Sequence, residues 1–157
     1  MLIKIRALKE SDIKACVELF HETVHTVNAK DYSPEQLNVW APKEISHKDN
    51  RWQTLLDNIA LIAENDDQIV GFGDMTHGGY LDRLYVHKDY QRQGIALAIV
   101  SKLEAQAKMN GVKEITTEAS ITAKPYFESA GYFVVNEQQK DVQGVKLTNY
   151  IMKKTII

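Results

Sequence analysis

Two stretches of the chain carry apolar residues at three- and four-residue spacing, which is the pattern of an amphipathic helix. The apolar face of the first consists of Ile13, Cys16, Val17, Phe20 and Val24. The apolar face of the second consists of Ile95, Ala98, Ile99, Leu103 and Ala107. Ser11 or Asp12 can cap the first helix, and Gly111 supplies the stop of the second. The spacing therefore predicts two long helices, each with one face against a core.

Short β-like runs fill the middle of the chain, at residues 59–63, 69–75 and 81–86. The turn sequences Asn65-Asp66-Asp67 and Gly78-Gly79 separate them, so the pattern predicts an antiparallel meander. Shorter elements are predicted around it: strands at 1–6, 114–119, 132–139 and 145–152, and helices at 34–41, 49–58 and 122–130. No linker, repeat or low-complexity segment divides this order, so we expect one domain over residues 1–157.

Composition narrows the class of protein. Of the 157 residues 44% are apolar, which suffices for the core of one domain. The 19 basic and 21 acidic residues give a net charge of -2, and no block of five like charges resembles a nucleic-acid-binding tail. Apolar runs such as residues 59–63 are far shorter than the ~20 residues that span a bilayer, and no signal-peptide pattern opens the chain. Cys16 is the only cysteine, which excludes an internal disulfide. We expect a cytoplasmic protein with neither a nucleic-acid nor a membrane partner.

The most informative segment joins an apolar strand to a helix start. Leu84, Tyr85 and Val86 end the strand, and the helix opens with Gln91, Arg92, Gln93, Gly94, Ile95 and Ala96. A helix start leaves about four backbone N–H groups without intrahelical partners and carries roughly half a positive charge. Gly94 and Ala96 lack bulk where a ligand must approach closely. The segment predicts an anion site suited to a pyrophosphate, although both common phosphate fingerprints, G-x-x-x-x-G-K-[ST] and G-x-G-x-x-G, are absent.

With this Gln-x-x-Gly-x-Ala segment after a strand, the chain resembles the GNAT superfamily of acyl-CoA-dependent N-acyltransferases. Three further segments carry the resemblance in the family's order: residues 5–12 (IRALKESD), 69–72 (IVGF) and 123–132 (AKPYFESAGY), the last in place of A-x-x-x-Y-x-x-x-G-F. Residues 31–42 and 117–120 resemble a subgroup of bacterial acetyltransferases of the YafP type. The resemblance covers nearly the whole chain.

The resemblance implies an α/β (α+β) fold. Its central mixed, mostly antiparallel sheet has about seven strands, flanked by four to five helices, and its parallel strands 4 and 5 splay apart. It also implies acetyl-CoA as co-substrate and no metal. The backbone of Arg92 to Ala96 would hold the pyrophosphate, with Gln91 beside it, and the backbone of Leu84 to Val86 would pair with pantetheine. Arg92 and Lys124 could meet phosphate charge, although long cations are usually only exposed.

An acceptor amine with a pKa near that of lysine, ~10.4, is mostly protonated at neutral pH, so the reaction needs a base. Some family members place a base at the positions of Asp82 and Tyr80, and Asp82 is the first candidate. A strand of period two would set Tyr80, Asp82, Leu84 and Val86 on one face. Glu118, on the neighbouring strand, is the next candidate. An ordinary salt bridge is the alternative interpretation for each carboxylate.

The family's usual proton donor to the leaving thiolate is a tyrosine four residues before the glycine, where this chain has Phe127. Tyr126 is adjacent, but a helix turns about 100° per residue, so it is either the acid or a wall of the core or pocket. Ser120 stands where the family often has Asn, as a helix cap or as a cofactor contact. The missing tyrosine motivates a second hypothesis, an acyl-CoA-binding regulatory module with weak or no catalysis.

Other residues leave the acceptor open. Tyr32, Trp40 and Trp52 could build its pocket or belong to the core. His21-Glu22-Thr23-Val24-His25 matches the H-E-x-x-H zinc motif, a third hypothesis that needs a third metal ligand. The acceptor is expected to be an amine on a small molecule or peptide, and the protein could form a homodimer.

Overall fold

The computed structural model describes residues 2–157. Its strands are β1 (Lys4–Ala7), β2 (Ile59–Asn65), β3 (Gln68–Met75), β4 (Tyr80–Val86), β5 (Glu114–Ser120), β6 (Phe133–Val142) and β7 (Val145–Thr155). Its α-helices are α1 (Ile13–Thr26), α2 (Pro34–Trp40), α3 (Asn50–Gln53), α4 (Ile95–Met109) and α5 (Lys124–Ser129). Within residues 2–157 the seven strands form one sheet in the order β1-β2-β3-β4-β5-β7-β6. The predicted mixed sheet is confirmed.

Strands β1 to β4 are antiparallel neighbours, so the predicted meander is also confirmed. Most elements begin and end close to their predicted positions, but β6 and β7 each run three residues further, β1 begins at Lys4, and α3 ends at Gln53, five residues before the predicted end. The turn between β6 and β7 falls at Gln143 and Gly144, which both have positive φ, the geometry that suits a tight hairpin.

Helices cover both faces of the sheet. On one face a cluster built on Phe20, Trp52 and Phe72 joins α1 and α3 to β3. On the other face α4 packs through Ile99 and Leu103 onto the sheet. Gly73 permits this close approach, because a Cβ there would lie 2.9 Å from Cγ2 of Ile99. The close packing of α4 on the sheet therefore depends on a glycine in β3.

Helix α1 begins differently from the prediction. Asp12 precedes it, but its carboxylate does not cap the helix. The carboxylate instead accepts hydrogen bonds from Nη1 of Arg6 at 2.8 Å and from the backbone N–H of Lys9 at 2.7 Å. The acidic residue ties β1 to the segment that enters α1, since a bidentate guanidinium partner outcompetes the helix N–H groups.

Strands β4 and β5 are parallel and separate soon after they start. Their paired residues are Tyr80 with Thr116 and Leu81 with Thr117, and the strands diverge from there. At the point of separation the hydroxyl of Thr117 donates to the carbonyl of Leu81 at 2.8 Å, in place of a backbone donor. Strand β5 stays paired with β7 and β4 with β3, so the sheet divides between β4 and β5 while each half keeps its own pairing. The predicted splay is confirmed.

No helix in residues 2–157 combines the length and the apolar character that crossing a membrane requires.

Candidate active site

The separation of β4 from β5 opens two adjoining cavities. The strand-gap cavity, of about 180 Å³, lies between the two strands and is closed by α1 and α5. The hairpin-side cavity, of about 250 Å³, lies between the same strands, helices α2 and α3, and the β6–β7 hairpin. The two cavities share the wall residues Trp40, Asp82, Tyr85, Glu118 and Ser120. A ligand in one cavity would therefore meet a ligand in the other at the two carboxylates.

The start of α4 has the form that the sequence predicted for an anion site. Gly94 is the N-cap residue with φ of 82°, and Arg92 also has positive φ, 59°. A Cβ built on Gly94 meets no atom of residues 2–157 within 4 Å. Arg92, Gln93 and Gly94 are exposed, while Ile95 is buried and anchors the first turn to the core. The backbone of this turn faces open space with its N–H groups unpaired inside the helix.

The rest of the predicted cofactor segment divides into two groups. Ala96 lines the strand-gap cavity, together with Leu84, Tyr85 and Val86 of β4. Gln91 shapes the loop itself, because its Nε2 donates to the carbonyl of Val86 at 2.7 Å. The hydroxyl of Thr23 donates to the same carbonyl at 3.1 Å. That carbonyl is engaged, so a ligand strand along β4 would have to use the other backbone groups.

Glu118 lies in a hydrogen-bonded cluster. Tyr80 donates from Oη to Oε2 of Glu118 at 2.7 Å, Gln138 donates to Oε1, and Nζ of Lys140 lies 3.8 Å from Oε2. Burial raises the pKa of Glu118, but these two hydrogen bonds and the lysine charge outweigh it, and the pKa lies below its ordinary value. Burial and the bond to Glu118 raise the pKa of Tyr80. Glu118 is therefore an ionised carboxylate at neutral pH, and Tyr80 is its protonated partner.

Asp82 sits on a β-bulge. Arg83 pairs with Asp74 and Leu81 pairs with Met75, so within the described chain Asp82 has no partner on β3. Its side chain is 37% exposed and its Oδ2 lies 3.8 Å from Nη1 of Arg83. The prediction that Tyr80, Asp82, Leu84 and Val86 share one face was wrong, because the bulge interrupts the alternation. Leu84 and Val86 pack on the α4 side, whereas Tyr80 and Asp82 line the hairpin-side cavity.

The bulge is held by a buried ion pair beneath it. Nη1 of Arg83 donates to Oδ2 of Asp74 at 2.5 Å, and Arg83 also donates to Oγ1 of Thr54 at 2.7 Å. Burial raises the pKa of Asp74 to about 6, while the charge of Arg83 opposes the rise. Arg83 thus fixes β4 to the segment that follows α3, next to the bulge that carries Asp82.

Tyr126 and Phe127 both line the strand-gap cavity. Phe127 is buried and packs edge-on against Tyr132. The hydroxyl of Tyr126 is buried and has no hydrogen-bond partner among residues 2–157. Burial raises the pKa of Tyr126 to about 12. A buried hydroxyl without a partner costs stability. Tyr126 therefore keeps a protonated, unengaged donor close to the cavity, shielded from the solvent that fills it.

Two other predicted cofactor residues are engaged elsewhere. Ser120 accepts a hydrogen bond from the N–H of Ala123 at 3.0 Å, which is the capping interpretation, but it also lines both cavities. Nζ of Lys124 lies 4.8 Å from the centre of the Tyr150 ring, a cation–π contact outside both cavity walls.

The histidines and the cysteine lie away from the two cavities. Nε2 of His25 contacts the carbonyl of Ala41 at 2.7 Å, and Glu22 pairs with Nζ of Lys88 at 3.0 Å. Residues 2–157 contain no group of three or more His, Cys, Asp or Glu side chains arranged to hold a metal ion. Cys16 is fully buried in the core, and burial raises the pKa of its thiol to about 12.

Of the aromatic candidates, Tyr32 and Trp40 line the hairpin-side cavity, whereas Trp52 belongs to the core. Sequence reasoning missed several polar wall residues, namely Thr23, Asn28, Arg51, Thr117, Lys140 and Asn149, and it missed Gln138, which donates to Glu118 from outside the walls. No local motif marks them, because the pairing of β5 with β7 and of β7 with β6 brings distant segments to one place.

Known proteins share this architecture. The profile of the acetyltransferase (GNAT) domain family matches residues 28–154. The uncharacterized N-acetyltransferase YafP of Escherichia coli strain K12 is 32% identical over 153 residues, which cover 96% of this chain and 95% of YafP.

Two solved structures are also similar. A GCN5-related N-acetyltransferase of Rhodopseudomonas palustris, described as an aminotransferase of class II, superposes with a TM-score of 0.91 at 26% identity over 99% of this chain and 98% of its own. The PaiA N-acetyltransferase of Thermoplasma acidophilum, solved in complex with coenzyme A, superposes with a TM-score of 0.80 at 22% identity over 99% of both chains. The family profile, the relative and the fold agree, and the chain belongs to the GNAT family of acetyltransferases.

Proposed function

We propose that the chain is an acetyl-CoA-dependent N-acetyltransferase that transfers the acetyl group directly to a primary amine, with residues 1–157 acting as one domain. The observation that carries the proposal is the opening between β4 and β5 beyond Leu81 and Thr117. It connects the start of α4 with two carboxylates, so a donor and an acceptor can meet between the strands.

The residues present fit coenzyme A. The open backbone around Gly94, where even a Cβ would enter empty space, suits a pyrophosphate. The edge of β4 that faces the gap suits an extended amide-bearing chain. Tyr126 lines the same cavity, and its unengaged hydroxyl lies behind that wall, shielded from solvent. When bound, acetyl-CoA supplies an activated acetyl thioester.

The chain's own residues would then position and deprotonate the acceptor. The carboxylates of Asp82 and Glu118 attract an ammonium to the junction of the two cavities, and one of them takes its proton, directly or through water. Asp82 is the stronger candidate for the base, because it is partly exposed and can pass the proton to solvent. Glu118, held by Tyr80, is the better candidate for orienting the amine. As the C–N bond forms and the C–S bond breaks, Tyr126 would give its proton to the departing sulfur.

Direct transfer is favoured over a covalent route through Cys16. A thiol nucleophile must be ionised and must reach the substrate. Cys16 is fully buried, its pKa is raised to about 12, and it lines neither cavity.

The experiment measures acetyl-CoA binding and amine acetylation in the same protein. Binding at ~100 times Kd should stabilise the fold by ~2.7 kcal/mol, which a thermal melt detects. Incubation with a panel of amines should then release free CoA. Asp82→Asn should lower the rate of this release about a hundredfold or more, while the melting temperature in the presence of acetyl-CoA should not change. Phe127 at the family's tyrosine position favours one alternative, an acyl-CoA-binding regulatory module. Binding without acetylation of any amine would support that alternative and refute the enzyme.

A further inference from the structure

The hairpin-side cavity carries information about the acceptor that the family does not. It lies on the opposite side of the carboxylates from the strand-gap cavity, and its outer walls come from α2, α3 and the β6–β7 hairpin. These walls include two cations as well as the two carboxylates: Arg51, Lys140, Asp82 and Glu118. The formal charges of this set cancel, so the cavity is matched to a ligand with both charges rather than to a simple cation.

The two cations differ in how far they are already engaged. Lys140 has Glu118 as a neighbour, at 3.8 Å. Arg51 is exposed, and no carboxylate in the described part of the chain pairs with its guanidinium. Arg83 donates a hydrogen bond to its backbone carbonyl, so the backbone of Arg51 is held in place beside the cavity. A guanidinium of this kind is a fork that binds a carboxylate through two parallel hydrogen bonds.

A second residue of this wall has an unsatisfied polar atom. The side-chain oxygen of Asn149 is shielded from solvent and accepts no hydrogen bond from residues 2–157. Asn149 lies on β7 opposite Ser120, in the wall of the hairpin-side cavity. A buried acceptor left without a donor is costly, and an ammonium would supply one if the shielding side chains moved aside.

The size of the cavity limits the ligand. Its volume of about 250 Å³ exceeds the ~150 Å³ that holds benzene and falls below the ~300 Å³ at which drug-sized sites begin. Aromatic rings of Tyr32, Trp40, Tyr80 and Tyr85 form much of the wall. A compact molecule with an apolar body fits this space better than a folded protein surface does.

Resting on the proposed function, we propose that the acceptor is a free amino acid. Its amine would lie between Asp82 and Glu118, its carboxylate would bind Arg51, and its side chain would pack on the aromatic wall. A polyamine is disfavoured, because its second ammonium would face Arg51 and Lys140. A lysine within a protein is disfavoured as well, because its own carboxyl is part of a peptide bond and leaves Arg51 without a partner.

The test compares matched acceptors that differ by one group. Acetylation is measured with the free amino acids and with the amines that their decarboxylation yields, such as phenylalanine against 2-phenylethylamine. Spermidine and a lysine-containing peptide complete the panel. The amino acids should be preferred in kcat/KM by about tenfold or more, since a charge-assisted bidentate contact is worth at least that factor.

Variants of Arg51 test whether this residue causes the preference for amino acids. Arg51→Gln should raise KM for the amino acid about tenfold, leave kcat nearly unchanged, and leave the decarboxylated amine unaffected, while Arg51→Lys should restore part of the loss. Lys102→Gln removes an exposed cation of α4 outside both cavities and serves as the matched control. A preference that survives Arg51→Gln unchanged would overturn the proposal.

The remaining outcomes separate this proposal from the proposed function. Acetylation of decarboxylated amines, spermidine or the peptide in preference to amino acids would overturn the amino-acid proposal and leave the acetyltransferase standing. Stabilisation by acetyl-CoA without acetylation of any member of the panel would overturn both.

Discussion

The hydroxyl of Tyr80 donates a hydrogen bond to Oε2 of Glu118 over 2.7 Å, across the last paired segment of β4 and β5. The bond holds a carboxylate at the point where the two strands separate. It also helps to keep that carboxylate ionised, because a donor to the charged form lowers the pKa.

Tyr80→Phe should therefore weaken the amine site. Without this donor the pKa of Glu118 rises, so the acid limb of kcat/KM should move to higher pH. KM for the amine should rise about tenfold, since a hydrogen bond to a charged group contributes ~1.5 kcal/mol. The measurement is a profile of kcat/KM from pH 5 to 8.

Tyr132→Phe is the matched control for this variant. Tyr132 also donates from a tyrosine to a glutamate, Glu104, at 2.8 Å, but it lies outside both cavities. The Tyr132→Phe variant should be less stable than the wild type, but its pH profile of kcat/KM should be unchanged. An unaltered profile in Tyr80→Phe would show that the bond to Glu118 is purely structural.

The backbone at Gly94 gives a second prediction. Gly94 and Gly111 lie at opposite ends of α4 with φ of 82° and 80°, and in both places a Cβ meets no atom of residues 2–157 within 4 Å. Gly94→Ala and Gly111→Ala should thus cost similar stability, about 1–2 kcal/mol each, from the left-handed backbone. Only Gly94→Ala should also lower the affinity for acetyl-CoA, because its methyl group enters the anion site.

Calorimetric titration with acetyl-CoA and melts of both variants check this. Equal Kd values for acetyl-CoA in the two variants would remove the start of α4 from the cofactor site. If only Gly94→Ala loses affinity for acetyl-CoA while the two variants are equally stable, the result supports a cofactor site at the start of α4.

The sequence was sufficient for the elements and the family but not for the side-chain geometry. Regular apolar spacing located α1 and α4, and the turn at Gly78 and Gly79 located the start of β4. The direction of Asp82 could not be read from period two, because the bulge depends on Arg83 pairing with Asp74, a contact between neighbouring strands. Alternation holds only while the register holds.

The surroundings of Glu118 show the same limit. Gln138 and Lys140 reach it from β6, which is separated from β5 in the sheet by β7. The register of β6 on β7 and of β7 on β5 determines this contact. No sequence pattern in residues 133–142 indicates it. Likewise, the motif showed that the usual tyrosine was replaced by Phe127, but only the structure placed the Tyr126 hydroxyl in a buried position without a partner.

The pair of Arg6 and Asp12 predicts a pH dependence of stability. Hydrogen bonds from Arg6 are the largest cause of a lowered pKa at Asp12, against an opposing effect of burial. A carboxyl whose pKa is lower in the folded state stabilises the fold above its unfolded value of 3.8, and the contribution disappears as the pH falls through the folded value. Asp12→Asn should thus cost about 1–3 kcal/mol at pH 7 and at pH 5.

Urea unfolding at several pH values measures this difference. It should shrink below pH 3.8, the unfolded value. Asp89→Asn, which removes a 71% exposed carboxylate 4.0 Å from His87, should change stability little at any pH. A difference for Asp12→Asn that stays constant into acid would assign its effect to packing and not to charge.

Tyr126→Phe should separate stability from activity. The hydroxyl is buried without a partner among the described residues, so its removal should leave the melting temperature unchanged or raise it. If Tyr126 protonates the leaving sulfur, kcat should fall about a hundredfold, while KM for acetyl-CoA stays the same. The pKa of about 12 keeps the tyrosine protonated, so the wild-type profile should show no alkaline limb from Tyr126 below that pH.

Steady-state kinetics with a saturating amine, together with melts, provide the measurement. Tyr90→Phe, which removes a hydroxyl that donates to Gln68 at 3.2 Å outside both cavities, is the control and should leave kcat unchanged. An unchanged kcat in Tyr126→Phe would show that the proton reaches the sulfur from water. A fall in kcat with an equal rise in KM for acetyl-CoA would instead show that the hydroxyl binds the cofactor without serving as the acid.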